Sequence, residues 1–542
     1  MPVGQWNLKF HFRGLGWGVF SMEKNKHIRY NVIWIIVFER RCVMNKRKLD
    51  SLLWENIPID NFIVSGHSDI KQENLDDVFW DDVDELCVNR DDNYNISISC
   101  VRYLNQYKEI KQRPTVDKRE FIPGETMPAG KLEIKIFDDY TVTFTPMYCD
   151  GYISKLDKTD YKLSCYCVEG KSVKTPSVIK EWILNGSKSG LRFCENSRFE
   201  YKVQGSVSGV YGDLQFPIKE ELEEQEYIGR FIHFKYKDTA FDIHFVGNKY
   251  GPSWSTNLSI SYFEKYGRIP SIEERKQIRE YLSFFVGKRL MYVGESSFDE
   301  NGNQIGFVMK NPGTYGFDIK KECISGAKTP IKDDVSFLHN YLDTIQKYIE
   351  PFSELYEKLD FASFFSAYWY AQKVTQPMDL PILSAALENL KRKWYEEVEI
   401  NPETVLMDKK DFSKRIKSIK KMVETQFAGT EYVERMKRSV EGMNRMSVSE
   451  QLTHFFEGID MLVGKKEKKA LQARNFSAHG LYAGDSIDYE EQFMTSQVYE
   501  CILVRVILKL LKYEGNYIDY GTIGYPEKNI NCPSGSEVGE IP

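Results

Sequence analysis

The sequence predicts an α+β protein in which a β-rich N-terminal domain, sandwich- or barrel-like, precedes an all-helical bundle domain. Three observations carry that expectation. Between about residue 60 and residue 265, apolar residues mostly recur with a period of two, in short runs closed by Gly, Asn or Asp. From about residue 333 to residue 513 the period is 3.6. At 542 residues, with 42% hydrophobic and 14% aromatic side chains, the chain can hold two or three domains and bury their cores.

In chain order, residues 1–43 come first. Their apolar run "VIWIIVF" is flanked by Arg29, Arg40 and Arg41, is short for a signal-peptide core, and has no small-residue cleavage site after it. It reads as a buried strand or a leader. Because Met44 opens "MNKRKLDSLLWENIPIDNF" like an ordinary start, residues 1–43 also read as an upstream extension. No segment approaches the roughly 20 apolar residues that span a bilayer, so a cytoplasmic protein with no membrane partner is expected.

The β-rich domain is expected over 44–325. In "KLEIKIFDDYTVTF", Leu132, Ile134 and Ile136 alternate with Lys131, Glu133 and Lys135, and "FDD" supplies a turn before extended character resumes. "YKLSCYCVEG", "RFEYKVQGSVSGVYG" and "RFIHFKYKDTAFDIHFVGNKYG" repeat the pattern. Many short strands separated by turn signals suit a sandwich or barrel. A helix interrupts them at "IPSIEERKQIREYLSFFVGK", where Ser271 and Glu274 have capping-box spacing and Ile278, Leu282 and Phe285 follow at helical intervals. Asn301-Gly302 then marks a hairpin. The turn-rich "NPGTYG" and "SGAKTP" set a domain boundary near 311–330.

The helical domain is expected over 326–515. Phe337, Tyr341, Ile345, Tyr348 and Phe352 form one stripe, interrupted by Pro351. Phe412, Ile416, Ile419 and Met422 form another, with Lys414, Arg415, Lys417, Lys420 and Lys421 on the remaining faces. "EEQFMTSQVYECILVRVILKLLKY" is apolar round much of its circumference and reads as a central buried helix ended by Gly515. Residues 516–542 read as a flexible tail.

Ten scattered cysteines read as reduced thiols in a cytosolic protein. The net charge of −6 points only to solubility, but its placement is uneven. Residues 409–470 hold 15 Lys and Arg against 9 Asp and Glu, a net of +6, so the rest of the chain carries −12. A basic helical face leading into "GKKEKKALQARNFSAHG", with Lys465, Lys466, Lys468 and Lys469, could follow an RNA backbone. A solvated surface explains the same lysines.

Within that stretch Arg474 and His479 are separated by four residues. With 23 Arg and 8 His in the chain, about one such spacing arises by chance, so context must carry the argument. Asn475 follows the arginine and stands at i, i+4 to His479, and Gly480 can end the helix there. The chemistry is coherent. RNA is cut when one group deprotonates the ribose 2′-OH and another protonates the leaving 5′-oxygen; histidine suits either role, and arginine clamps the charge developing on phosphorus. On one helix, however, the two side chains lie about 140° apart. A distorted helix start, or a site completed by a second copy of the chain, resolves that.

"ARNFSAHG" resembles the Arg-x4–6-His motif of HEPN domains. "LPILSAALENLKRKW" and "LTHFFEGIDML" resemble the earlier helices of the HEPN domain in Apea-like proteins. The similarity covers about residues 333–513, and "LSFFVGKRLMYVGESSFDENG" is similar in layout to the N-terminal domain of the same proteins. The resemblance implies a metal-independent endoribonuclease of tRNA or other structured RNA, usually a homodimer or higher homo-oligomer, with no metal or organic cofactor. It also implies an anti-phage role by abortive infection, with a phage-derived trigger sensed or restrained by the N-terminal domain. It makes Arg474 and His479 the catalytic pair, Asn475 a positioning residue, and Glu388 of "AALENL" an acidic supporting residue on an early helix. Two rivals remain: a non-catalytic RNA-binding or dimerisation HEPN module, and the toxin of a toxin–antitoxin pair.

Other candidates read as structural. His454 lies among apolar neighbours in "QLTHFFEGIDML", and His233 and His244 alternate with aromatics in strands. Cys165 and Cys167, with Cys149 and Cys194 respectively 16 and 27 residues away, lack the C-x2–4-C knuckle of a zinc site. The acidic "ENLDDVFWDDVDEL" reads as a solvated face.

Overall fold

Apolar alternation folds into strands that join, among the described residues, into one continuous antiparallel sheet of 14 strands. The computed structural model describes residues 70–73, 85–90, 95–103, 130–137, 140–154, 158–186, 195–198, 204–209, 212–217, 228–246, 257–302, 304–312, 322–323, 326–332, 338–376, 378–397, 405–478 and 489–535. The expected leader, Cys194 and His479 lie outside the described residues. Residues 57–542 form one compact unit, to which the following description refers.

The first strands are β1 (Ile70–Glu73), β2 (Glu85–Arg90), β3 (Ile96–Tyr103), β4 (Gly130–Phe137), β5 (Tyr140–Ser154), β6 (Lys158–Cys165), β7 (Cys167–Ser172) and β8 (Val178–Ile183). They are followed by β9 (Glu195–Arg198), β10 (Gln204–Gly209), β11 (Gly212–Pro217), β12 (Ile228–Tyr236), β13 (Thr239–Val246) and β14 (Asn257–Phe263). Helix α1 (Ile272–Val286) intervenes before β15 (Tyr292–Phe298) and β16 (Gln304–Lys310). The order across the sheet is β2-β3-β6-β5-β7-β16-β15-β8-β14-β13-β12-β9, with β4 also on β5 and β1 on β4; β10 and β11 form a separate hairpin.

Among the described residues the strands follow one hydrogen-bonded path whose ends are β2 and β9. The path turns at β5. Its 15 residues change partners along their length, with 140–144 lying between β4 and β7 and 147–154 beside β6. The inward residues of this end, among them Leu86, Ile98, Leu132, Phe144, Leu163, Val168 and Phe307, form a core of their own. The expected β15–β16 hairpin closes through Gly302, whose φ of +81° is the left-handed backbone that Asn-Gly turns use.

The other end of the sheet carries α1, begun by a complete capping box from Ser271 and Glu274. Ile278, Leu282 and Phe285 are buried in the core that strands and helices share, as their spacing requires. Between helix and sheet lies a closed ionic network. Glu181 on β8 and Glu295 on β15 face each other directly across the strand pair, which alone would be repulsive. Arg275 bridges them at 3.0 and 2.9 Å, and Arg279 also pairs with Glu181. Such a buried set is tolerable only because its members satisfy one another.

The remaining helices are α2 (Leu338–Tyr356), α3 (Phe361–Ala371), α4 (Asp379–Glu397), α5 (Lys409–Arg415), α6 (Lys417–Gln426), α7 (Val433–Gly442), α8 (Val448–Gly458), α9 (Lys465–Ala478) and α10 (Tyr489–Leu510). The molecule is thus mixed α+β, with the large sheet preceding most of the helices. Helix α2 runs through Pro351 without ending there. It also covers exposed strand edge: Gln346 bonds both the N–H (2.7 Å) and the C=O (2.8 Å) of Lys235, and Glu350 accepts from the Lys237 N–H at 3.0 Å. One buried core then continues from β8, β12–β14 and α1 into the helices, including Phe285, Ile345, Phe352, Phe361, Leu387, Leu503 and Tyr517. The turn-rich seam near 311–330 therefore divides the sequence without dividing that core. Lys328 donates its N–H to Gly287 and its Nζ to Gln497 at 2.9 Å, joining both sides.

Residues 516–535 are not the flexible tail expected. They form a hairpin, β17 (Asn516–Ile518) with β18 (Glu527–Asn529), and Tyr517 and Asp519 are completely buried. The anchoring is mainly polar: Asp519 accepts from Lys528, Ser534, Thr522 and the Gly521 and Gly535 N–H groups. Among the described residues, no helix is long and apolar enough to cross a membrane.

Candidate catalytic and nucleic-acid site

Helix α9 is the element on which most of the candidate residues fall, and its seating begins with a charge hidden in a basic stretch. In "KKEKK", Glu467 and Arg505 of α10 have fully buried side chains and pair with each other. Glu467 also accepts the Gly464 N–H at 3.0 Å and the Ser534 N–H at 2.9 Å. Arg505 donates to the carbonyls of Leu462 (3.0 Å) and Ile530 (3.1 Å). A carboxylate in the first turn also complements the helix dipole. The surrounding Lys465, Lys466, Lys468 and Lys469 are exposed, and Lys469 pairs with Glu491.

Ala470 and Ala473 are buried, small enough to let α9 lie close against its neighbours α4 and α10. Arg474 and Asn475 belong to the helical backbone that ends at Ala478; their side chains are outside the described residues, as is the whole of His479. At 1.5 Å per residue the arginine stands about 7 to 14 Å along the axis from the four lysines. The structure thus brings these candidates onto one helix without bringing them into one turn.

Glu388 lies on α4, the helix against which α9 packs. Its carboxylate is paired with the buried Lys391 ammonium at 2.6 Å. Both border a groove of about 640 Å³ between α4 and α8, lined also by Arg392, Tyr395 and Gln451. Arg392 is itself engaged by Glu396 (2.9 Å) and Asn389 (2.7 Å). Tyr395 donates to the Gln451 carbonyl at 3.0 Å and meets His454 Nδ1 at 2.8 Å. His454 is stacked on Tyr395 and set edgewise to Trp394. At the buried start of α4, Asp379 takes a hydrogen bond from Ser496 (2.9 Å), and burial raises its carboxyl to about 6.

The remaining histidines and thiols sit in the β-rich part. His233 pairs with Asp242 at 2.7 Å. Burial, reinforced by Lys180, pushes the His244 imidazole down to about 4. Cys165 is buried, its thiol pushed up to about 12 by that burial, and it donates to the Cys167 carbonyl. Among the described residues no group of His, Cys, Asp and Glu could hold a metal ion.

Sequence reasoning missed Arg392, Tyr395 and the Glu467–Arg505 pair. One signal for the last was available: a lone arginine inside the otherwise apolar "CILVRVILKLL" calls for a buried partner. No family model, curated protein or solved structure matches this chain.

Proposed function

We propose that the chain is a HEPN-type endoribonuclease, acting as a homodimer without a metal ion in anti-phage defence by abortive infection. The observation that carries the reading is the composition of α9 and its surroundings: Arg474 and Asn475 near its end, four exposed lysines at its start, and a packed neighbour, α4, that presents Glu388 beside a groove. In the reaction the ribose 2′-oxygen attacks phosphorus and the 5′-oxygen leaves, giving a 2′,3′-cyclic phosphate and a free 5′-hydroxyl. His479 exchanges a proton with one of those two oxygens, and Arg474 neutralises the equatorial phosphate oxygens. A second copy supplies the other proton-transfer group, since a helix continued through both residues would set Arg474 and His479 about 140° apart.

A second reading, a HEPN module that binds RNA without cutting it, is favoured by the mutual pairing of Glu388 with Lys391 and of Arg392 with Glu396. The two are separated by incubating wild type, Arg474→Ala and His479→Ala with total RNA in EDTA and resolving the 3′ ends. Discrete fragments with 2′,3′-cyclic ends from wild type alone support the nuclease. Intact RNA in every sample, with RNA affinity reduced in the variants, supports the binding module. Cleavage that survives His479→Ala refutes the assignment of the histidine.

A further inference from the structure

Between α4 and α8, the two helices that border the Glu388 groove, the chain makes a long excursion through α5, α6 and α7. Its base is tied by a Val405–Arg445 bridge and by Asn444 bonding both the N–H and C=O of Met407. Helices α6 and α7 are antiparallel, and the pairs Lys420–Glu441 and Glu424–Lys437 mark their line of contact. The excursion buries little: Ile416 and Val440 are its buried apolar side chains within 409–446.

Its charge is unlike that of the rest of the protein. Residues 409–446 hold 11 Lys and Arg against 5 Asp and Glu, a net of +6 in a chain whose total is −6. Most of these acids are spent internally, since Asp411 pairs with Lys414, Glu424 and Glu434 with Lys437, and Glu441 with Lys420. Lys410, Lys417, Lys421, Arg435 and Arg438 are exposed and have no carboxylate partner among the described residues.

These cations are also ordered. Lys410, Lys414, Lys417 and Lys421 stand at i, i+4, i+7 and i+11 along α5 and α6, a stripe of about 16 Å on one face. Arg438 of α7 falls on the same side of the contact line. Ile419, Met436 and Met443, all exposed, fall toward the opposite side, while the exposed Met422 and Tyr432 face away from the contact line. A one-sided row of exposed cations spaced by single helical turns, of which Lys414 is matched by Asp411, is complementary to a linear polyanion.

We infer that the α5–α7 hairpin is a docking arm for RNA, whose Lys410–Lys414–Lys417–Lys421 stripe holds the phosphate backbone and leads it toward the groove between α4 and α8. This deepens the proposed function by assigning where the substrate first binds. An anionic membrane fits less well. Lipid covering the apolar face would leave the stripe on the far side of a helix about 10 Å thick, near one Debye length from the headgroups.

The test uses the full chain with His479→Ala, so that RNA stays intact whatever the outcome for catalysis. Binding of a labelled single-stranded RNA is titrated in EDTA over a range of salt. The triple change Lys410→Gln, Lys417→Gln, Lys421→Gln is compared with Lys162→Gln, Lys171→Gln, Lys174→Gln, three exposed lysines of the β-rich part. Loss of three phosphate contacts lowers the slope of log K against log salt by about two and the affinity at 0.1 M salt by about 100-fold. That loss in the hairpin variant alone, with unchanged melting temperature, supports the arm. Equal losses in both variants, or none in the hairpin variant, overturn it. So does unchanged RNA affinity with lost binding to phosphatidylserine vesicles, which would assign the hairpin to a membrane. Failure of wild type to cleave any RNA would refute the nuclease and leave this binding result standing.

Discussion

The Glu467–Arg505 pair should be the most sensitive point of the helical part. Arg505→Met removes a guanidinium that donates to Glu467, Leu462 and Ile530, with both ionic side chains wholly buried. The change leaves a buried carboxylate without its cation and two carbonyls without their donor. Breaking such a pair costs about 3 to 5 kcal/mol, a large part of the roughly 5 to 15 kcal/mol that holds most domains folded. Glu467→Gln should cost less, because a Gln oxygen still accepts from the Ser534 N–H, yet it strands Arg505. The double variant should be less destabilised than the two losses added together, since neither charge is then left alone. Urea unfolding of the four proteins gives the cycle, and amide exchange over α9 shows whether the loss is local. Additive single effects, or a cost below about 1 kcal/mol for Arg505→Met, would refute the claim that this pair seats α9.

Stability against pH should separate two buried groups that oppose each other. Asp379, raised to about 6 in the folded state, adds stability at low pH that is lost as pH rises through 6; His244, lowered to about 4, adds stability at high pH that is lost as pH falls through 4. Each is worth about 3 kcal/mol, so Asp379→Asn should make melting temperature rise more steeply than in wild type between pH 4.5 and 7, and parallel curves would contradict this. Gly287→Ala should cost about 2 kcal/mol or more in urea unfolding, because its φ is +74° and an added Cβ would lie 2.1 Å from the Lys328 backbone. Leu387→Ala, at a fully buried position of α4, should cost about 3 to 5 kcal/mol by the same measurement.

The features legible in the sequence were the local ones. The capping box at Ser271, the Asn301-Gly302 hairpin and the alternation in "KLEIKIF" each depend on residues within a few positions of one another. The sheet order was not legible, because β8 lies between β14 and β15 through contacts that only the folded chain creates. The C-terminal hairpin was misread for a related reason. Beside Tyr517 and Ile530, its burial rests on Asp519, Lys528 and Ser534, whose partners are polar, so no hydrophobic period announces it. In the candidate site, the helix bearing Arg474 and the exposure of the lysines followed from pattern, whereas the burial of Glu467 among four lysines could not, since hydropathy averages its neighbours.

The same clasp has a bearing on how the protein is made. Glu467 finds its cation 38 residues further along the chain and its last donor 67 residues further. While those residues are still inside the ribosome, the helix bearing Arg474 has been synthesised but lacks the contacts that fix it. The order of synthesis therefore delays the seating of this helix until Ser534 has emerged.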